Sequence, residues 1–197
     1  MNIKEIDKQY VAGTYARFPL LVTGGKGSVV WDENGKKYID LGTGIAVNIF
    51  GVADEQWIAA VEKQLGTLQH MSNLYFTEPT ALLAQMLCER TGMKKVFFGN
   101  SGAEANECAI KAARKYSSDK YGSERNVIVS LINSFHGRTV TTLAATGQDE
   151  FHNSFLPLTG GFVHTPPDDI EALKKLVDEN PNIAAFMIEA VQGEGGI

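Results

Sequence analysis

The chain has 197 residues, 44% of them hydrophobic and 21% charged, with a net charge of −5 and a pI near 5.4. That is ordinary globular composition, long enough for one large domain or one and a half small ones. It holds no block of five basic residues and no apolar run approaching the roughly 18 residues of a membrane helix, so neither a nucleic-acid groove nor a membrane span is expected.

The opening stretch MNIKEIDKQY carries charges where a signal peptide needs an apolar core, which points to a cytoplasmic chain. Residues 24–28, GGKGS, are glycine-rich but match no phosphate-loop spacing, and they read as a turn. Residues 28–40 read as a hairpin. SVVWD and KKYID flank Glu33-Asn34-Gly35-Lys36, and Asn-Gly tolerates the positive φ that a tight turn needs. Residues 54–66 read as a helix with Trp57, Ile58, Val61 and Leu65 on one side. Residues 78–91 form a second helix, opened by Pro79, with Leu82, Leu83, Met86 and Leu87 on one face. Cys88 and Cys108 lie apart in helical patterns, with no CxxC pair and no metal spacing. They read as reduced thiols, and no metal centre is expected.

Strand and helix then alternate. KKVFFGN (94–100) reads as a short buried strand. Residues 102–117 read as a helix with a small inner face, Ala105, Ala109, Ala112, Ala113 and Tyr116, and an outer face of Glu107, Lys111 and Lys115. NVIVSL (126–131) is a second strand. Residues 168–179 are a helix with a capping box of Asp168 and Glu171 after Pro166-Pro167, burying Ile170, Leu173, Leu176 and Val177. IAAFMIEAV (183–191) is a third strand. This alternation predicts an α/β layer with a mostly parallel sheet.

Ligands of open parallel sheets collect beyond the carboxyl ends of the strands. Here each predicted strand runs out into polar residues and glycine: Asn100-Ser101-Gly102-Ala103, then residues 133–138, then Glu189 and residues 192–196. Together they suggest one pocket with an anion site, an aromatic plate, an arginine and two carboxylates. At the first exit, Gly102 and Ala103 leave the leading helix N–H groups sterically open to an anion. The plainer alternative is an ordinary Ser101 N-cap with Glu104 in the first turn. Phe135 reads equally as a core side chain, and Arg138 as a solvated surface charge. A glutamate ending an apolar strand, as Glu189 does, needs a partner or water.

The strings NSGAEANE (100–107), FHGRT (135–139) and EAVQGEGG (189–196) resemble, in order and spacing, those of the class III pyridoxal-phosphate aminotransferases, which are fold-type I enzymes. GIAVN (44–48) and TYARFPLLV (14–22) are most similar to the acetylornithine/ornithine branch, and the resemblance runs along nearly the whole chain. It implies an α/β fold of that type, a mostly parallel sheet flanked by helices and incomplete in this chain. Residues 1–50, with the hairpin, would belong to the small domain, and 51–197 would be the first part of the large cofactor-binding domain.

The cofactor implied is pyridoxal 5′-phosphate. Ser101, Gly102 and Ala103 match the phosphate-binding turn, and Phe135 matches the aromatic that stacks on the pyridine ring. His136 matches a structural histidine beside that ring, and Glu189 a carboxylate near the cofactor. Arg138 matches the arginine that holds the substrate α-carboxylate, for which a planar guanidinium is suited. Tyr15 matches a substrate-binding tyrosine, and Glu194 a glutamate that in relatives pairs with a later arginine to gate specificity. The chain departs from the family pattern in Ala190, where proline is common, in Ala103, where threonine is common, and in FGVADEQ (50–56), which lacks the usual Gly-His and Pro.

In the family, the lysine that bonds the cofactor and the aspartate that faces the pyridinium nitrogen follow the GEGG string. No lysine of this chain matches, so no catalytic residue is assigned in it, and the chain reads as the N-terminal half of an aminotransferase. The implied reaction moves the terminal amino group of N-acetylornithine to 2-oxoglutarate. Ornithine or 4-aminobutyrate as donor is an alternative, as is an inactive fragment acting only as a binding or assembly unit. The implied partners are a small amino acid, a 2-oxo acid and a second copy in a homodimer. SNLYFTEP (72–79) resembles the segment that reaches toward that copy, although Tyr75 and Phe76 also suit a core.

Overall fold

The computed structural model describes residues 2–196. The chain divides into two compact units, Met1–Ala81 and Leu82–Ile197. In the first unit, α1 (Ile3–Tyr10) starts on a capping box in which the Asn2 side chain accepts the Glu5 N–H and the Glu5 carboxylate accepts the Asn2 N–H. Strands β1 (Val22–Lys26), β2 (Val29–Asp32) and β3 (Lys37–Ile39) form an antiparallel sheet in that order.

The Asn-Gly hairpin forms as expected, with Trp31 opposite Lys37 and Gly35 at φ 77°. The Asp32 carboxylate clamps it, accepting the N–H groups of Asn34 (2.9 Å) and Lys36 (3.0 Å) and the Tyr38 hydroxyl (2.9 Å). Burial alone would raise the Asp32 pKa, but those donors and the Lys36 charge outweigh it and hold it below the ordinary carboxylate value.

The glycine-rich 24–28 stretch is not simply a turn. Gly24, Gly25 and Lys26 are strand, and only Gly27 and Ser28 turn. Gly24 pairs with Trp31 with no room for a side chain, since a Cβ would lie 2.8 Å from the indole Nε1. Beyond β3, α2 (Thr43–Ala46) is one turn whose residues all have positive φ. The unit continues with α3 (Glu55–Leu65), capped by Asp54, whose carboxylate accepts the Trp57 N–H at 2.8 Å. Helix α4 (Glu78–Thr91) contains the boundary between the units. Its Leu82, Leu83, Met86 and Leu87 stay 37–53% exposed.

The second unit is the α/β layer. Helix α5 (Gly102–Tyr121) leads to β4 (Val127–Leu131), α6 (Val140–Ala145), α7 (Asp149–His152), β5 (Phe162–Thr165), α8 (Ile170–Glu179) and β6 (Ile183–Met187). The strands form one sheet in the order β5-β4-β6, parallel throughout. Strand β4 is central and its Ile128, Val129 and Ser130 are buried, as the continuous apolar run predicts. Ile128 packs with Ile110 of α5 and Ala145 of α6, joined by Phe162, Ala185 and Met187.

Three expectations for this unit are corrected. Residues 94–100 make no ladder with any described strand, and Phe97 and Phe98 are 59% and 40% exposed. The run is apolar, but a strand exists only where a neighbour takes its backbone bonds. The inner face of α5 is the stripe Ala103, Asn106, Glu107, Ile110, Ala113, Arg114 and Ser117, while Ala105, Ala109, Ala112 and Tyr116 lie outside. Alanines surround this helix and carry little facial signal. The polar pair Asn106 and Glu107 turns inward because it has partners there. Finally, Asp169 rather than Asp168 caps α8, accepting the Ala172 N–H at 2.9 Å, and Glu171 bonds Lys174 instead. On α8, Ile170 and Val177 are exposed, leaving Leu173 and Leu176 inside.

Ile128→Ala should destabilise the protein by about 2–5 kcal/mol in chemical denaturation, whereas Ala109→Ser, on the outer face of α5, should stay within about 0.5 kcal/mol. The reverse ranking would restore the alanine face as the packed one.

Candidate functional site

The site lies in the second unit, where α5 begins and the chain leaves β4. Ser101 caps α5 by accepting the Glu104 N–H on its hydroxyl at 3.2 Å. The Glu104 carboxylate in turn accepts from the Asn100 N–H and, at 3.3 Å, from the Asn100 side-chain amide. The Ser101 hydroxyl therefore performs the plainer of its two expected tasks. The N–H groups of Gly102 and Ala103 have no acceptor among the described residues, as the first turn of any helix leaves them.

Opposite them lie residues 135–139. Gly102, Ala103 and Asn106 form one wall of a cavity of about 480 Å3, and Phe135, His136, Gly137, Arg138 and Thr139 form the other. Gly137 comes so close to α5 that a Cβ on it would sit 2.8 Å from the Ala103 Cβ and 2.7 Å from the Thr142 hydroxyl, and its φ of 123° excludes other residues as well.

Side chains hold this segment. The Phe135 N–H donates to Glu189 Oε2 at 2.8 Å. The His136 N–H donates to Thr146 Oγ1 at 3.0 Å, and the His136 carbonyl accepts from Asn106 Nδ2 at 2.8 Å. The Thr146 hydroxyl lies 3.2 Å from the Gly137 carbonyl and 3.1 Å from that of Thr142. Thr139 caps α6, accepting the Thr142 N–H at 3.2 Å, and its hydroxyl donates to Glu107 Oε1 at 2.5 Å. The Phe135 ring meets Phe151 edge-on at 5.8 Å.

Glu189 is thus half-buried with a backbone partner, which answers the need that its place at a strand end raised. Glu194 is exposed, and its carboxylate accepts from Gln148, which also reaches the Ser134 carbonyl at 3.3 Å. Arg138 is exposed on the cavity wall. Tyr15 belongs to the first unit, where its ring is 60% exposed and the Arg17 guanidinium lies 6.0 Å from its centre. Asn106, Glu107, Thr139, Thr146 and Gln148 were missed in the sequence. The one available signal was two polar residues, 106 and 107, on the stripe shared with Ala103 and Ile110.

The His136 side chain is 4% exposed, and its Nε2 has no partner among the described residues. Burial pushes its pKa below the ordinary imidazole value, and Glu189 opposes that only partly. His164 is lowered too, by burial and then by His152, whose ring stacks on it at 6.1 Å. Its Nδ1 lies 2.9 Å from the buried Ser130 hydroxyl.

The profile described as aminotransferase class-III matches residues 10–197. The chain belongs to the class-III aminotransferase family. An acetylornithine aminotransferase of Haemophilus ducreyi is 55% identical over 196 residues, covering 100% of this chain and 50% of its own. One from Methanocaldococcus jannaschii is 49% identical, with 100% and 49% covered. Among solved structures, the ornithine aminotransferase of Toxoplasma gondii ME49 matches 98% of this class-III chain and 46% of its own, at 33% identity and a TM-score of 0.91. The acetylornithine aminotransferase of Elizabethkingia anophelis matches at 29% identity and a TM-score of 0.79. This class-III chain spans about half the length of the curated relatives it matches.

The two lowered histidines set an acid limit. In the fold they stay neutral below the value of about 6.5 at which they titrate in the unfolded chain. Below that pH the unfolded state binds more protons, so their contribution, intact above about 6.5, is lost as the pH falls through the folded values. Denaturation midpoints should fall as the pH drops below about 6.5. A flat profile below that pH would contradict neutral buried imidazoles.

Proposed function

We propose that the protein containing these residues transfers the terminal amino group of N-acetylornithine to 2-oxoglutarate, releasing the N-acetylated semialdehyde and glutamate, with pyridoxal 5′-phosphate as cofactor. The observation that carries this reading is the cavity in which the open start of α5 faces Phe135 and Arg138. The relatives named acetylornithine aminotransferase, at 49–55% identity over 97–100% of this chain, favour the substrate.

The residues present suit the cofactor. Gly102 and Ala103 offer bare N–H groups at the positive end of a 20-residue helix, which suits a phosphate. Ser101 belongs to the same turn. Phe135 offers a ring that Phe151 meets edge-on, and His136 a buried Nε2 that no group among the described residues satisfies. When bound, the cofactor supplies an electron sink for the carbanion formed at the amino-bearing carbon. Glu189 would hold the Phe135 backbone and place a carboxylate beside that ring. Arg138 would take the substrate α-carboxylate, Glu194 would serve in the same substrate site, and the family resemblance alone gives Tyr15 a substrate-binding role. This half supplies binding and orientation, and the bonding lysine is assigned to sequence outside it.

The same reading assigns residues 1–50 to a small domain and 51–197 to the first part of a large one, in a cytoplasmic homodimer. Among the described residues no helix is long and apolar enough to cross a membrane, and Tyr75 and Phe76 are 63% and 107% exposed, which supports a covering subunit. Ornithine is the runner-up donor, favoured by the Toxoplasma gondii likeness.

A donor panel on the complete protein tests the choice. N-acetylornithine should give the highest kcat/KM with 2-oxoglutarate, and a preference for ornithine or 4-aminobutyrate would replace this reading. Arg138→Ala should weaken binding of the acetylornithine carboxylate by about 1.5–3 kcal/mol. Unchanged KM values for donor and acceptor would remove Arg138 from the site. Residues 1–197 alone, mixed with pyridoxal phosphate, should show no absorbance band of lysine-bound cofactor. A band would mean that a lysine of this half can serve.

A further inference from the structure

Asn106 has no role in the site as assigned so far. It lies on α5 one turn inside the helix start, on the inner stripe, and it lines the cavity. Its amide reaches 30 residues along the chain to the His136 carbonyl, at 2.8 Å. The N–H of the same residue is taken by Thr146, so side chains grip His136 on both of its backbone groups. One residue on, Gly137 rests against Ala103, also of α5. The spacing between the helix start and the aromatic segment is therefore set by two α5 residues. Ala103 limits approach and Asn106 prevents retreat.

We propose that Asn106 is a positioning residue. By holding the His136 carbonyl, it fixes the gap between the open N–H groups of Gly102 and Ala103 and the ring of Phe135, so that one ligand with an anionic group and an aromatic ring spans both. In this role it serves the cofactor reading of the same cavity. The chemistry selects an amide. A carboxylate of the same size would face the carbonyl with oxygen against oxygen, and alanine would leave the carbonyl to water, which sets no fixed length.

Pyridoxamine 5′-phosphate is the probe, because it carries both phosphate and ring and needs no bond to lysine. Titrated into the complete protein, it should bind Asn106→Ala and the near-isosteric Asn106→Asp about 3–10-fold more weakly than the unmodified protein. Inorganic phosphate, which needs only the helix start, should bind Asn106→Ala and the unmodified protein alike. Induced circular dichroism of the bound ring should fall in both variants. Equal pyridoxamine phosphate affinity in all three proteins would overturn the assignment while leaving the cofactor reading intact. Parallel losses for phosphate and pyridoxamine phosphate in Asn106→Ala would also overturn it, by placing the effect in the helix rather than the gap. If the unmodified protein binds no pyridoxamine phosphate, the cofactor reading fails and the positioning role goes with it.

Discussion

The structure of the site depends on how residues 135–137 satisfy their backbone. A loop that leaves a parallel strand has no ladder to join, yet buried N–H and C=O groups demand partners. Here the partners are side chains from separate parts of the chain. Glu189 comes from beyond β6, Thr146 from the end of α6, and Asn106 from α5. Each bond therefore fixes the segment relative to a different element. A side-chain clamp of this kind ties the aromatic ring, the guanidinium and the helix start into one geometry without using sheet or helix bonds.

The same habit extends into the core beneath. Ser130, Ser134, Thr142 and Thr146 are fully buried, where an α/β core is usually aliphatic. Burying a hydroxyl is costly unless it finds a partner, and these do. Ser130 donates to the Ala145 carbonyl at 2.6 Å, joining the central strand to α6. Ser134 accepts the Gly147 N–H at 3.2 Å, and the Ser134 carbonyl accepts that N–H at 3.1 Å. A hydroxyl bond has direction and length that a packed methyl lacks. The layer below the site therefore specifies where α6 sits, and α6 carries the Thr139 cap and the Thr146 clamp.

What could be read from the sequence follows from the range of the forces involved. The Asn-Gly hairpin, α3 and α4 were legible because turn chemistry and 3.6-residue periodicity are local. Strand β4 was legible because a central parallel strand is apolar on both faces, and β6 because its five residues are all apolar. Strand β5 escaped notice, since Phe162 to Thr165 are only four residues and two are polar. The 94–100 run misled because it has strand composition without a described neighbour. Gly24 and Gly25 misled because glycines that make room for Trp31 and for Val29 and Val30 look in sequence like glycines that turn. At the site, the first two strings supply Gly102, Ala103, Phe135, His136 and Arg138, which line facing walls of the cavity, and the third supplies Glu189, which accepts the Phe135 N–H. Asn106 and Thr146 stayed hidden because their partners are backbone atoms, which every residue has.

Gly137 shows why the strings and the hidden residues belong together. Its φ of 123° and its contact with Ala103 let the second string lie directly on the helix that the first string opens. Close approach alone would allow the segment to slide along α5, because a glycine against an alanine has no register. The amide of Asn106 removes that freedom in one direction, and the hydroxyl of Thr146 removes it in another. Threonine at 103 would add a hydroxyl and bulk at the point of contact. With alanine there, the contact is steric and short, and the polar work of holding the loop passes to Asn106, one helical turn away.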